Sequence, residues 1–171
     1  MILFVDFDGV LRPDWARRGE FHPPCLARFE AMLRDFPAIE LVISSDWRWQ
    51  MRRPTLVSLF SPDIGARIVG VTPVMELGDY GVRLREIQHY LKVAAQERKR
   101  QASATTGVEH LPPWLAIDDT PELFAPEVIG REVLITDPNR AFDADFEARL
   151  REALMARGVP CQSRPRGTHT S

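Results

Sequence analysis

Five short apolar runs punctuate the chain, at residues 2–5, 41–44, 67–71, 114–117 and 132–136. Each is rich in Val, Ile or Leu and lacks polar alternation, the pattern of strands buried on both faces of a parallel sheet. Helical spacing fills the intervals. Leu26, Phe29, Leu33 and Phe36 recur at intervals of 3, 4 and 3 behind Pro23-Pro24, a good helix start. Leu84, Ile87, Leu91 and Ala94 repeat the spacing after Gly81, and Phe146, Leu150 and Leu154 follow an Asp143 cap and stop at Gly158. Between Pro54 and Phe60 there is room only for a short helix. Strand-like runs alternating with helical stretches predict an α/β fold with right-handed crossovers.

The 171 residues suit one domain, expected over 1–158. Residues 101–113 mix small, polar and turn-forming side chains and read as a surface loop, while 159–171 lack periodicity and read as a disordered tail. A net charge of −2 creates no strong field toward nucleic acid or anionic membranes. Two cysteines, Cys25 and Cys161, make no disulfide framework, and no Cys-x-x-Cys pair suggests zinc. The first apolar run meets Asp6 at once, unlike a signal peptide, and no run approaches the ~18 apolar residues of a membrane span. A reducing, cytoplasmic setting is expected. His22, His89, His110 and His169 are scattered without metal-ligand spacing, and Arg98-Lys99-Arg100 reads as a solvated helix end.

The carboxylates are less ordinary. Asp6 and Asp8 stand two residues apart where the first apolar run ends, and Asp118 and Asp119 follow the fourth. In open α/β sheets ligands bind beyond the carboxyl ends of the strands. A single Asp there is commonly a cap or turn former. Two pairs after two buried strands are harder to explain that way. Four carboxylates gathered at one place repel unless a cation sits among them, and an all-oxygen donor set suits Mg²⁺. Gly9, next to Asp8, lets backbone approach a ligand closely.

These residues resemble motifs of the haloacid dehalogenase (HAD) superfamily of phosphotransferases. Asp6-Phe7-Asp8-Gly9-Val10 looks like its first motif, Leu41-Val42-Ile43-Ser44 its second, and Ile117-Asp118-Asp119 its fourth, in the right order along residues 1–137. Ser44-Ser45-Asp46-Trp47-Arg48, Phe60-Ser61-Pro62-Asp63-Ile64 and Ile135-Thr136-Asp137-Pro138 are similar to a small HAD group named for "Swiss Army knife" RNA-repair proteins. The resemblance implies a Rossmann-like five-stranded parallel sheet of order 3-2-1-4-5. It also implies phosphoryl transfer through an aspartyl-phosphate. Asp6 would be the nucleophile and Asp8 the general acid and base, with Ser44 binding a phosphoryl oxygen. Asp6, the Asp8 backbone carbonyl and Asp119 are first choices as Mg²⁺ ligands, with Asp118 close behind. The third motif needs a cation on the phosphate; Arg85 is preferred over Arg83.

Beyond Ser44 and Ser45, the residues Arg48, Trp49 and Arg52 interleave cations with an aromatic ring and suggest a substrate-binding rim. The plainer reading makes the tryptophans core and the arginines solvated. Neither the stretch 10–23 nor that from Ser44 to Arg83 has room for a cap domain, so the site should be open. An open site suits a phosphorylated partner such as a nucleic-acid end. The expected function is a Mg²⁺-dependent phosphatase; the alternatives are a mononucleotide nucleotidase and a catalytically idle phosphate-binding module.

Overall fold

The computed structural model describes residues 1–75, 81–101 and 111–162. Most of the expected 101–113 loop and residues 163–171 of the expected tail lie outside these. Five parallel strands, β1 (Ile2–Val5), β2 (Glu40–Ile43), β3 (Ile68–Val71), β4 (Trp114–Asp118) and β5 (Val133–Ile135), form one sheet in the order β3-β2-β1-β4-β5. All five expected strands are present, each end within one residue of its expected place.

The all-apolar runs follow from burial on both sheet faces. In β1, Leu3 and Val5 face one core cluster and Ile2 and Phe4 the other, all at most 2% exposed. The first cluster takes Phe29, Met32 and Leu33 from α1 (Pro23–Asp35) and Phe146, Leu150 and Leu154 from α5 (Ala144–Ala156). The second takes Leu84, Ile87 and Leu91 from α4 (Val82–Gln101). Only β3 departs from two-faced burial: it is an edge strand, and Val69 is exposed.

Local signals act as read. Pro23 opens α1, and the Asp143 carboxylate accepts from the Phe146 N–H at 2.8 Å to cap α5. Gly158 closes that helix with φ +71°. Residues 159–162, expected in the tail, are instead held by the domain. Val159 is buried against the first cluster and the Gln162 N–H donates to the Asp35 carbonyl, so an apolar contact and a backbone bond hold these residues. The stretch between β2 and β3 is also richer than one short helix, holding a 3₁₀ turn at Asp46–Trp49, α2 (Arg53–Val57) and α3 (Pro62–Gly65). Prolines at the starts of α2 and α3 supply the missing signal. These are single turns, and no cap domain is inserted among the described residues.

Candidate active site

The carboxyl ends of β1 and β4 lie side by side, because these strands pair in register from Ile2↔Trp114 to Val5↔Ile117. Asp6 follows the last residue of β1, and Asp118 ends β4. One carboxylate oxygen from each of Asp6, Asp118 and Asp119 falls within 4.8 Å of the others. Adjacency of two strands thus gathers residues more than a hundred positions apart.

Two of the three carboxylates are buried and Asp119 is half-buried. Asp6 is 6% exposed and Asp118 1%. Burial pushes the Asp6 carboxyl up to about 7; Arg83 opposes the rise and Asp119 adds to it. Asp118 is raised well above the usual carboxylate range by burial and then by the charge of Asp6, and Asp119 is raised mainly by burial. The Asp118 Oδ1 accepts from the Thr120 N–H at 3.0 Å, but its buried Oδ2 has no hydrogen-bond partner. Three crowded carboxylates, one with a buried oxygen that accepts no hydrogen bond, fit a hard divalent cation, which would favour their ionised forms.

Gly9 adopts φ +65°, and a Cβ placed on it would lie 2.1 Å from the Asp119 Oδ2. Its carbonyl accepts from the Thr136 hydroxyl at 2.8 Å. Gly9 therefore serves the close approach of the two aspartate loops.

The side chain of Asp8 stands outside the three-carboxylate cluster, leaving its backbone carbonyl as its expected part in metal binding. One carboxylate oxygen accepts from Arg12 Nε and the other from Trp47 Nε1 at 2.9 Å. Arg12 is buried and also donates to the Pro13 and Ala16 carbonyls, while Trp47 stacks on Phe21 and meets Phe7 edge-on. Asp8 lines a cleft of about 450 Å³ with Arg18, Trp49 and Met51.

Two sequence assignments change. Arg85 is exposed on α4, whereas Arg83 is 4% exposed and aims its Nε at Asp118 Oδ2 from 3.5 Å. Two residues of helix rotate a side chain by roughly 200°, so only one of this pair can face the site. Of the two arginines, Arg83 is the one that lies against the carboxylates. Burial works against its charge, but Asp118, Asp6, Asp46 and Glu86 outweigh that and raise its pKa.

Arg48 is likewise not an open rim residue. Its side chain is 3% exposed and donates to the Ser44 carbonyl and to Glu86 Oε2. Burial and the nearby Arg83 lower its pKa. Trp49 is 40% exposed, and Arg52 is exposed. Ser44 is buried at the end of β2, its N–H donating to the Val5 carbonyl. Ser45, expected to touch substrate, turns its hydroxyl to Asp6 and accepts from the Trp47 N–H.

Arg12, on Asp8, and Glu86 escaped the motif reading, while Trp47, on Asp8, and Thr136, on Gly9, lie within the quoted motifs but received no role there. Glu86 is 2% exposed, ion-pairs with both Arg48 and Arg83, and accepts from the Met75 N–H at 3.1 Å. Its spacing of three from Arg83 on one helix face was the available signal.

Residues 2–145 match the family described as the HAD domain in Swiss Army Knife RNA repair proteins. The chain belongs to this family. Comparison with curated proteins and with solved structures gives no match. As a HAD domain the chain carries Asp6 and Asp8 on the strand–loop after β1, Ser44 after β2, Arg83 early in α4 and the Asp118-Asp119 pair at β4, all at one end of the sheet. No helix among the described residues is long and apolar enough to cross a membrane.

Proposed function

We propose that this HAD domain is a Mg²⁺-dependent phosphomonoester hydrolase acting on terminal phosphates of RNA. One observation carries the reading: buried Asp6 lies against Asp118, Asp119 and the Arg83 guanidinium at the carboxyl edge of the sheet. The Asp6 carboxylate attacks phosphorus. The ester P–O bond breaks, and the departing oxygen takes a proton from Asp8. Asp8, now ionised, removes a proton from water, which attacks the aspartyl-phosphate and releases phosphate and free Asp6. Arg83 stabilises charge on the transferring oxygens, and Ser44 binds one of them. Asp6, Asp119, Asp118 and the Asp8 carbonyl would hold Mg²⁺, which supplies positive charge between two anionic reactants. The reading keeps a cytoplasmic setting, where the free thiols Cys25 and Cys161 stay reduced.

One observation favours a rival, the idle phosphate-binding module. Arg12 Nε and Trp47 Nε1 donate to the two Asp8 oxygens, so donors of the fold itself hold this carboxylate without a substrate. Phosphate release from 5′- and 3′-phosphorylated oligonucleotides, mononucleotides and phosphopeptides, with Mg²⁺ and with EDTA, separates the readings. Metal-dependent release, abolished in Asp6→Asn, supports the hydrolase. A beryllofluoride-dependent rise in melting temperature with no turnover of any ester supports the module. Preference for mononucleotides over oligonucleotides makes the protein a nucleotidase.

A further inference from the structure

A group leaving from a phosphate at Asp6 must be within reach of the acid Asp8, and Asp8 forms one wall of the 450 Å³ cleft. That volume lies in the range of small-molecule sites. Trp49 forms another wall. The buried guanidinium of Arg48 lies 5.8 Å from the centre of the Trp49 ring and backs it, while Trp49 remains 40% exposed. A ring braced on one side and open to solvent is a stacking platform. Arg18, exposed, stands at the same cleft.

Trp49, Gln50 and Met51 also line a second cavity of about 350 Å³, whose walls include Arg52 and Val71. The two cavities therefore share one ridge. Arg52 is exposed and caps the start of α2 through its backbone. Arg53, beside it, is committed to the Ile68 carbonyl at 2.8 Å.

We propose that the two cavities form a path for a single-stranded polynucleotide. The terminal nucleoside occupies the Asp8 cleft with its base on Trp49, and the chain crosses the Trp49–Met51 ridge so that the next backbone phosphate meets Arg52. The path rests on the hydrolase reading for the terminal phosphate at Asp6. Its polarity follows from the two walls: stacking serves the first nucleotide, and charge serves the second. The overall charge of −2 is compatible, because an end-binding path needs few phosphate contacts.

Binding tests the path without turnover. Fluorescence anisotropy of labelled mono-, di- and tetranucleotides, each with a terminal phosphate, is read on Asp6→Asn protein carrying Trp49→Ala, Trp49→Phe or Arg52→Ala. Melting curves check that each variant is folded. Trp49→Ala should weaken all lengths by about tenfold or more, consistent with base stacking on an aromatic ring, and Trp49→Phe should recover most of it. Arg52→Ala should weaken di- and tetranucleotides several-fold more than the mononucleotide and lower the salt slope by about one. Equal losses at every length for Arg52→Ala would overturn the path, as would Trp49→Ala binding like its parent. A phosphopeptide bound more tightly than any nucleotide would make the path a protein-binding groove. Absence of ester turnover in wild type, alongside the expected length dependence, would defeat the hydrolase reading and leave the path standing.

Discussion

Replacing Gly9 by alanine tests whether the close approach of the first loop to Asp119 builds the candidate metal site. Two costs separate cleanly. Holding a non-glycine residue at φ +65° costs roughly 1–2 kcal/mol. The added Cβ would also lie 2.1, 2.3 and 2.4 Å from Oδ2, Cγ and Cβ of Asp119. The nearest atoms include the root of that side chain, so rotation of its tip is no escape. Either Asp119 or the Gly9 loop moves. Moving Asp119 endangers its 2.9 Å bond from Thr120 Oγ1, and moving the loop endangers the 2.8 Å bond from Thr136 Oγ1 to the Gly9 carbonyl. Each such bond contributes about 1 kcal/mol. Gly130→Ala is the matched control, because Gly130 has φ +79° and nothing within 4 Å of its would-be Cβ. In a domain of this size 1 kcal/mol shifts the melting temperature by roughly 2–4 °C. Gly130→Ala should therefore lose roughly 2–8 °C, and Gly9→Ala several degrees more. The assay is a melting curve against Mg²⁺ concentration. Wild type and Gly130→Ala should gain alike, approaching about 2.7 kcal/mol at a hundred times the dissociation constant, whereas Gly9→Ala should gain little. Equal melting losses and equal Mg²⁺ responses in the two variants would refute the reasoning.

Two further outcomes follow from the buried charges. Arg83→Ala should lower kcat for phosphate release by about a hundredfold or more, as expected for loss of a preorganised charge, with Arg83→Lys recovering part of it. Arg85→Ala should cost far less, and the reverse order would return the third-motif role to Arg85. Asp6, Asp118 and Asp119 all have folded pKa values above that of the unfolded chain. Between about pH 4 and 7 the folded state thus binds more protons, and their contribution to the stability of metal-free protein falls as pH rises through that window. Asp118→Asn should flatten this fall in a melting series with EDTA, and Mg²⁺ should oppose it; a slope unchanged by Asp118→Asn would disprove the coupling.

Much of this architecture is written locally. A strand covered on both faces is apolar along most of its length, so β1, β2 and β4 announce themselves, as does an amphipathic helix by its spacing. Asp143, Pro23 and Gly158 act on the residues beside them, and their roles need no tertiary context. Asp6, Asp118 and Asp119 were legible for a related reason, since strand ends of an open parallel sheet face one common edge.

Choices that depend on rotation or on partners distant in the chain were made only by packing. Helix α4 turns Arg83 inward and Arg85 outward, a matter of phase set by Leu84, Ile87 and Leu91 against the sheet. Arg48 reads like a surface cation until Glu86, 38 residues away, is brought to its guanidinium and encloses it. Val159 joins the core because α5 returns it to the apolar face beside α1, where the Gln162 N–H finds the Asp35 carbonyl. Sequence determined which elements form and which edge carries the acids, because those follow from short-range periodicity. Tertiary structure decided which cation lies against the acids and which is locked away, because burial of a charge depends on the partner it meets.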